Sequence, residues 1–135
     1  MHWSGSKESL NSKGVYGIVD GTTLIYIGST KSFKNRLHTH NRCFEKPELQ
    51  PTMKLYKYKP KYDSDLKMVP LIDLAEVEYT GAVASTVVRN RKYLEWALIL
   101  IFKPECNTEG VTKPFSLRKD VKKTRSKKKI QKTAW

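Results

Sequence analysis

The sequence has few of the features that mark secreted, membrane-spanning or zinc-binding proteins. Its 135 residues include two cysteines, Cys43 and Cys106, which lie far apart with no Cys-x-x-Cys partner. This argues against a disulfide framework and a zinc knuckle, so we expect two reduced, buried thiols. No run of about 18 apolar residues occurs, and the opening MHWSGSKESL has no apolar stretch of signal-peptide length. We therefore expect a soluble, cytoplasmic protein.

Acidic residues are also scarce relative to basic ones. The chain has 26 Lys and Arg against 13 Asp and Glu, a net charge of +13 that attracts polyanions such as nucleic acids. From Ser116 to Trp135 there are nine Lys or Arg and one Asp, which gives +8. This segment has little to bury, so we predict a solvated tail that contacts phosphates, with a localisation signal or a solubilising tail as alternatives. Its predicted nucleic-acid-binding residues are Arg118, Lys119, Lys122, Lys123, Arg125, Lys127, Lys128 and Lys129.

The hydrophobic pattern predicts one domain over residues 13–115, after a loose leader over 1–12 and before the basic tail at 116–135. Two short β-branched and aromatic runs, GVYGIV and TLIYIG, flank an Asp-Gly pair that suits a tight hairpin turn. The run PLIDLAEVEYT alternates in part and predicts a third strand beside the hairpin. We therefore expect an α/β protein of the α+β type, with a small three-stranded antiparallel sheet flanked by helices.

Helix signals follow the hairpin. The hydroxyls of Ser29, Thr30 and Ser32 can cap a helix that would place Arg36 and His40, four residues apart, on one face.

A second helix is predicted by STVVRNRKYLEWALILIFKP, with Ser85 or Thr86 as N-cap and Pro104 as its end. A strand through LILIF is the alternative. Between Phe44 and Met68 three prolines predict a loop with a short helical piece.

The acidic residue Glu95 stands out because it is the only charged residue among the ten of YLEWALILIF. A carboxylate in such company must reach solvent, pair with a cation or bind a metal. Taken by itself, Glu95 could form an ion pair at the edge of a helix. Each strand tyrosine, taken by itself, could simply pack in the core. Together with the rest of the set, however, Glu95 supplies two phenols, a guanidinium, an imidazole and one carboxylate, which suit phosphodiester hydrolysis with a single hard cation. The other members are Tyr16, Tyr26, Arg36, His40 and Asn107.

In their order along the chain, these residues resemble the GIY-YIG nuclease superfamily. The two short motifs that name it stand here as GVY at Gly14–Tyr16 and YIG at Tyr26–Gly28, and the resemblance covers residues 13–107. Val15 replaces the isoleucine of the first motif, a conservative change. Family members then carry an arginine, a histidine one turn later, a metal-binding glutamate in a later helix, and an asparagine. Those positions match Arg36, His40, Glu95 and Asn107.

The resemblance implies a metal-dependent endonuclease. Glu95 is then expected to anchor one divalent ion, Mg²⁺ or Mn²⁺, and Arg36 to form a forked contact with a phosphate oxygen. A tyrosine is expected to act as the base for the attacking water, with the choice between Tyr16 and Tyr26 open. His40 is expected to take the proton from that tyrosine.

The remaining expectations concern the substrate and its contacts. Asn107 is expected to hold Glu95 or the phosphate, and Lys31 to contact phosphate near the start of the first helix. The expected substrate is double-stranded DNA, cut by a compact phage-encoded, restriction-like or mobile-element enzyme. Cutting both strands would need a homodimer or two sequential nicks. Two other functions stay open: a catalytically inactive nucleic-acid-binding module of the same fold, and a small basic RNA-binding protein with an accidental motif match.

Overall fold

Four strands form one mixed sheet in the computed structural model, which describes residues 1–74 and 84–107, with the side chains of 84–90 left out. Their order across the sheet is β1 (His2–Trp3), β4 (Lys67–Asp73), β2 (Gly14–Asp20) and β3 (Thr23–Thr30). β2 pairs antiparallel with both β3 and β4, whereas β1 runs parallel to β4. The predicted three-stranded antiparallel sheet is therefore wrong in its strand count, because the N-terminal strand adds a fourth, parallel member.

The hairpin predicted from the sequence is confirmed. β2 and β3 pair from Gly14 opposite Thr30 to Asp20 opposite Thr23. The turn places Gly21 at a φ of 62°, a left-handed conformation that glycine adopts without steric cost. Because side chains alternate across a strand, this register sets the two motif tyrosines on one face of the sheet.

The two helices pack on opposite faces of the sheet. α1 (Phe33–Glu45) begins after Ser32, whose hydroxyl accepts the backbone N–H of Asn35 at 3.2 Å, so this member of the predicted capping set is confirmed. Phe33 and Cys43 of α1 join the core on the face that carries Tyr16.

α2 (Ala84–Phe102) packs Ile99 against Val15 and Ile27 on the other face of the sheet. Its helical conformation through LILIF rules out the strand alternative. The helix includes Ser85, which therefore does not precede it as an N-cap, and it ends two residues before Pro104. None of the helices in the described ranges is long and apolar enough to cross a membrane.

The predicted loose leader over residues 1–12 is wrong, because this segment belongs to the folded unit. Met1, Trp3 and Leu10 pack against the core, and the Trp3 ring lies 5.0 Å from that of Phe33. Burial of these apolar side chains and backbone hydrogen bonds to residues 66 and 68 hold the segment in place. Outside the described residues lie 75–83 and 108–115 of the predicted domain and the whole of the predicted basic tail at 116–135. Both cysteines are free and buried, as expected.

The segment between α1 and β4 contains two short 3-10 helices, at Pro47–Leu49 and Lys54–Lys57, which agrees with a loop that has a short helical piece. Asp20 in the hairpin fixes the rest of this segment. Its carboxylate accepts hydrogen bonds from the Tyr58 hydroxyl and from the backbone N–H groups of residues 61–63. Burial opposes the charge, but these hydrogen bonds outweigh it and lower the pKa of Asp20.

The exposed edge of the sheet at β3 is closed by the residues that follow α2. The Asn107 amide oxygen accepts the Ile27 N–H at 2.7 Å, and its amide nitrogen donates to the Ile27 carbonyl at 2.8 Å. The Cys106 N–H donates to the Ile25 carbonyl at 2.9 Å. Side chain and backbone thus satisfy polar groups that an edge strand leaves unpaired.

We predict that Asn107→Ala lowers the free energy of unfolding by about 2–4 kcal/mol, because it leaves one buried donor and one buried acceptor of Ile27 without partners. Urea unfolding of the parent and the variant measures the change. Glu105→Gln, two residues away in an exposed ion pair, is the matched control and should shift stability little. A loss for Asn107→Ala no larger than the control would contradict the closure of this edge.

Candidate active site

Three buried side chains from three different elements form a hydrogen-bonded row. The Tyr16 hydroxyl of β2 lies 2.6 Å from His40 Nε2 of α1, and His40 Nδ1 lies 2.9 Å from the hydroxyl of Tyr56 in the second 3-10 helix. All three are buried, Tyr16 and His40 to within 1% of complete burial. The predicted pairing of a tyrosine with His40 is therefore present, and the partner is Tyr16.

The electrostatics of this row keep it neutral. Burial lowers the pKa of His40 to about 3, and the positive charge of Arg36 acts in the same direction. Burial also raises the pKa of Tyr16 well above its usual value, so the phenol keeps its proton. A neutral imidazole has one donor and one acceptor nitrogen. When Nε2 accepts a hydrogen bond from the Tyr16 hydroxyl, Nδ1–H donates one to the Tyr56 hydroxyl. All donors in the row then point the same way, from Tyr16 to Tyr56.

Steric contacts explain why both motifs contain a glycine. Gly28 lies directly opposite Tyr16 across the hairpin, and a Cβ there would overlap the Tyr16 phenol. Gly14 has a φ of 151°, and a Cβ there would overlap the Ile72 carbonyl oxygen. The phenol therefore reaches His40 by crossing the bare backbone of β3.

Glu95 reaches the same region from the opposite face of the sheet. Its Oε2 accepts a hydrogen bond from Ser29 Oγ at 2.8 Å. Burial raises the pKa of Glu95, although the Ser29 hydrogen bond and the charges of Lys92, Arg36 and Arg91 oppose the shift. Within the described ranges the ion pairs are His2–Asp65 and Lys61–Glu105, so the ion-paired alternative for Glu95 has no support there. Ser29 contacts Glu95, and helix capping falls to Ser32.

Tyr26 and Arg36 complete the cluster. The Tyr26 ring lies 6.2 Å from the Tyr16 ring and 5.8 Å from the His40 ring. Burial raises the pKa of Tyr26, and the nearby charge of Glu95 adds to the shift. Arg36 is exposed, and its charge acts on both tyrosines and on Glu95. Five of the six predicted catalytic residues are therefore electrostatic neighbours.

Two of the predicted contact residues have other surroundings. Both amide atoms of Asn107 bind Ile27, so the expected hydrogen bond to Glu95 or a phosphate is replaced by a supporting role for β3. Lys31 is exposed one residue before the cap of α1. The predicted tail residues from Arg118 to Lys129 lie outside the described part of the chain.

Sequence reasoning missed two residues of this region. Tyr56 lies in a Lys- and Tyr-rich segment that matches no motif, so nothing marked it as a partner of His40. Arg91 is buried one helical turn before Glu95, and its Nε has no hydrogen-bond partner among the residues that the structure describes. Burial lowers the pKa of Arg91, and Glu95 opposes the shift. The sequence feature that could have identified Arg91 is its spacing of four residues from Glu95, which places both side chains on one helix face.

The donor set fits a hard divalent cation held by few protein atoms. Ser29 Oγ donates to Glu95 Oε2, and the carboxylate keeps lone pairs that can bind a metal. The described residues contain no group of three or more His, Cys, Asp or Glu side chains arranged as ligands. Zinc sites require such a group, whereas Mg²⁺ keeps several waters and binds through one or two carboxylates. Glu95 therefore fits Mg²⁺ or Mn²⁺ better than zinc.

Comparison with known proteins returns structural likenesses only. No protein-family model matches the chain, and no curated protein does. The chain is similar to the magnesium-bound GIY-YIG N-terminal endonuclease domain of UvrC from Thermotoga maritima, with 23% identity and a TM-score of 0.42 over 76% of this chain and 93% of that chain. A tyrosine-to-phenylalanine mutant of that domain gives 25% identity and a TM-score of 0.41, over 76% of this chain and 92% of the other.

An asparagine-to-alanine mutant of the same domain gives 24% identity and a TM-score of 0.39, over 73% of this chain and 89% of the other. The superfamily of these structures is the one that the two sequence motifs resemble. At such low TM-scores we transfer no residue role from these structures to the chain.

We predict that His40 makes the protein acid-sensitive. The pKa of a histidine is about 6.5 in an unfolded chain, and burial lowers that of His40 to about 3. Between these values the unfolded chain binds a proton that the folded chain does not. Stability is therefore lost as pH falls below about 6.5, at up to about 1.4 kcal/mol per pH unit, until pH reaches the folded pKa.

Urea unfolding at pH 7 and pH 5 measures this effect. The parent should lose about 2 kcal/mol more than His40→Gln over this interval, because glutamine cannot take up the proton. His38→Gln, an exposed position on the same helix, is the control and should follow the parent. Equal pH dependence of the parent and His40→Gln would show that His40 is not held neutral by burial.

Proposed function

We propose that this protein is a metal-dependent endonuclease that hydrolyses phosphodiester bonds in double-stranded DNA. The observation that carries the proposal is the buried Tyr16–His40–Tyr56 row, which ends on a phenol beside Glu95, Tyr26 and Arg36. Hydrolysis needs a base for the attacking water, a positive group for the phosphate and a site for a divalent ion. This cluster contains one group for each need, and the net charge of +13 favours a polyanionic substrate.

Tyr16 and His40 are the proton-accepting pair in this proposal. A free tyrosinate does not form at neutral pH, because burial raises the pKa of Tyr16. The phenol instead receives a proton from the attacking water while its own proton passes to His40 Nε2, 2.6 Å away. The imidazolium that forms is disfavoured by burial, but it lies near the negative charge that develops on the phosphate, which stabilises it.

Tyr56 positions the imidazole. Its hydroxyl lies 2.9 Å from His40 Nδ1 and holds the ring so that Nε2 faces Tyr16. As the acceptor of Nδ1–H, it would favour the tautomer in which Nε2 accepts the hydrogen bond of Tyr16. Tyr26, which is half-buried next to Tyr16, is placed to orient the water or the phosphate.

Arg36 and Glu95 act on the phosphate and the metal. The exposed guanidinium of Arg36 provides a planar fork that can bind two phosphate oxygens, which a lysine does not reproduce. Glu95 would hold a single Mg²⁺ or Mn²⁺ through its carboxylate, which the hydrogen bond from Ser29 orients. Such an ion supplies Lewis-acid stabilisation of the phosphate oxygens. The charged side chains of Arg36 and Arg91 reduce the cost of keeping Glu95 ionised.

We predict that Glu95→Gln lowers the rate of plasmid nicking in Mg²⁺ by roughly two orders of magnitude while binding to DNA persists. The amide keeps the size of the side chain but removes the charge that attracts the cation. Glu48→Gln, an exposed acid with the same change of charge, is the control and should nick like the parent. Nicking by Glu95→Gln at the parent's rate would refute the metal-binding role. A parent that cuts in no divalent metal would favour the inactive binding module.

We predict that Tyr16→Phe lowers nicking by about 100-fold or more, because it removes the hydroxyl that links the water to His40. Tyr26→Phe should cost less, since Tyr26 has no contact with a nitrogen of His40 among the hydrogen bonds of the described residues. Tyr62→Phe, which is 70% exposed, is the control. Supercoiled plasmid assays with EDTA blanks measure all three. A larger loss for Tyr26→Phe than for Tyr16→Phe would reverse the assignment of the base.

A further inference from the structure

A basic cleft lies in the segment between α1 and β4, which matches none of the sequence motifs. It has a volume of about 320 Å³ and opens between the second 3-10 helix and the residues that follow α2. Its lining residues are Lys54, Lys57, Tyr58, Lys59, Lys61 and Glu105.

Charge dominates the chemistry of this cleft. Four lysines face one acid, and Lys61 pairs with Glu105 at 3.4 Å, so the cleft keeps a net charge of +3. All four lysines are exposed, so they are accessible to a ligand from solvent. Lysine is a flexible point charge that binds phosphates without fixed geometry. A ligand with several phosphates can contact more of these lysines at once than a single small anion can.

The backbone that carries the lysines is held in place. Leu55 and Tyr56 of the 3-10 helix are buried in the core, whereas Lys54 and Lys57 of the same helix are exposed. Asp20 fixes the following residues through Tyr58 and the backbone of 61–63. The lysines therefore extend from a fixed surface, so little backbone ordering is required when a ligand binds.

The cleft adjoins the catalytic cluster in two ways. The 3-10 helix that presents Lys54 and Lys57 also supplies Tyr56, whose hydroxyl contacts His40. On the other side, Glu105 lines the cleft, and the next residue, Cys106, donates its N–H to the carbonyl of Ile25 at 2.9 Å, directly before Tyr26 in β3. The elements that line the cleft therefore also contact the strand and the imidazole of the catalytic cluster.

We propose that this cleft binds the phosphate backbone of duplex DNA beside the phosphodiester that is cleaved, as a contact separate from the basic tail. The inference rests on the proposed nuclease function. It gives the segment between α1 and β4 a role in substrate binding. The lysines bind phosphates uniformly, so the cleft adds affinity and orients the duplex without reading its sequence.

The test compares two triple variants of the full chain with equal loss of charge. In Lys54→Gln, Lys57→Gln and Lys59→Gln the cleft loses three lysines, and Lys61 is kept because it pairs with Glu105. In the control variant, Lys7→Gln, Lys46→Gln and Lys67→Gln remove three exposed lysines that do not line the cleft. Binding to a labelled duplex of about 20 base pairs is measured in EDTA over a range of NaCl concentrations, so that no cleavage intervenes.

The cleft variant should reduce the slope of log affinity against log salt by about 2–3 units, at about 0.9 units per phosphate contact, and the control by less than about 1 unit. Equal reductions in the two variants would mean a general effect of charge and would overturn the proposal, as would no reduction in the cleft variant. If the triple variant does not melt cooperatively, the single variant Lys57→Gln is tested instead. It should reduce the slope of log affinity against log salt by about 0.9 units.

Cleavage kinetics provide a second test of the cleft. The cleft variant should raise KM about tenfold or more and change kcat less than about twofold, since no cleft lysine touches the reacting atoms. A fall in kcat at constant KM would contradict a role in binding alone. A parent that binds the duplex but never cuts it would refute the nuclease proposal and leave the salt comparison to decide the cleft.

Discussion

The buried hydrogen bond between Tyr16 and His40 is the interaction on which the rest of this site depends. It joins the first strand of the hairpin to α1 at 2.6 Å, between two side chains that are each about 99% buried. Burial there keeps the imidazole neutral and the phenol protonated. A bare backbone at Gly28 is needed for the phenol to pass, and Tyr56 is needed to occupy the second ring nitrogen. Gly28 and the 3-10 helix at Lys54–Lys57 therefore both support the contact between Tyr16 and His40.

The edge strand β3 connects this contact to Glu95. The tyrosines pack with α1 on one face of the sheet, whereas Ser29 binds the carboxylate of α2. The two halves of the cluster therefore meet across a single strand. Asn107 holds that strand from its open side through both polar groups of Ile27. Because the strand is clamped in this way, the distance between the proton-accepting pair and the carboxylate is set by the fold.

Local features of the site followed from the sequence. An Asp-Gly turn predicts a hairpin, a serine before an amphipathic run predicts a cap, and a spacing of four residues places Arg36 and His40 on one helix face. These inferences need only neighbouring residues. The isolated acid in an apolar helix likewise pointed to Glu95, because an unpaired buried carboxylate is costly wherever it lies.

Long-range contacts did not follow from the sequence. Asn107 binds a strand 80 residues away, so its role depends on where the chain returns after α2. Tyr56 comes from a segment without periodicity, and its contact with His40 depends on the path of the chain through the two short 3-10 helices after α1. The unpredicted strand β1 is two residues long, too short for any alternation to be visible. In each case tertiary packing selected one arrangement among many that the local pattern allowed.

The central claim is that His40 is a neutral imidazole held between two phenols, and nitrogen NMR of the imidazole rings tests it most directly. Spectra recorded at pH 5, with the exposed His2 and His38 as reference signals, distinguish a neutral ring from an imidazolium. The structure predicts that His40 is neutral at pH 5, with one protonated and one unprotonated nitrogen, because its pKa is lowered to about 3. It also predicts that Tyr16→Phe shifts the Nε2 signal. A His40 that is an imidazolium at pH 5, or an Nε2 signal that Tyr16→Phe leaves unchanged, would contradict the account.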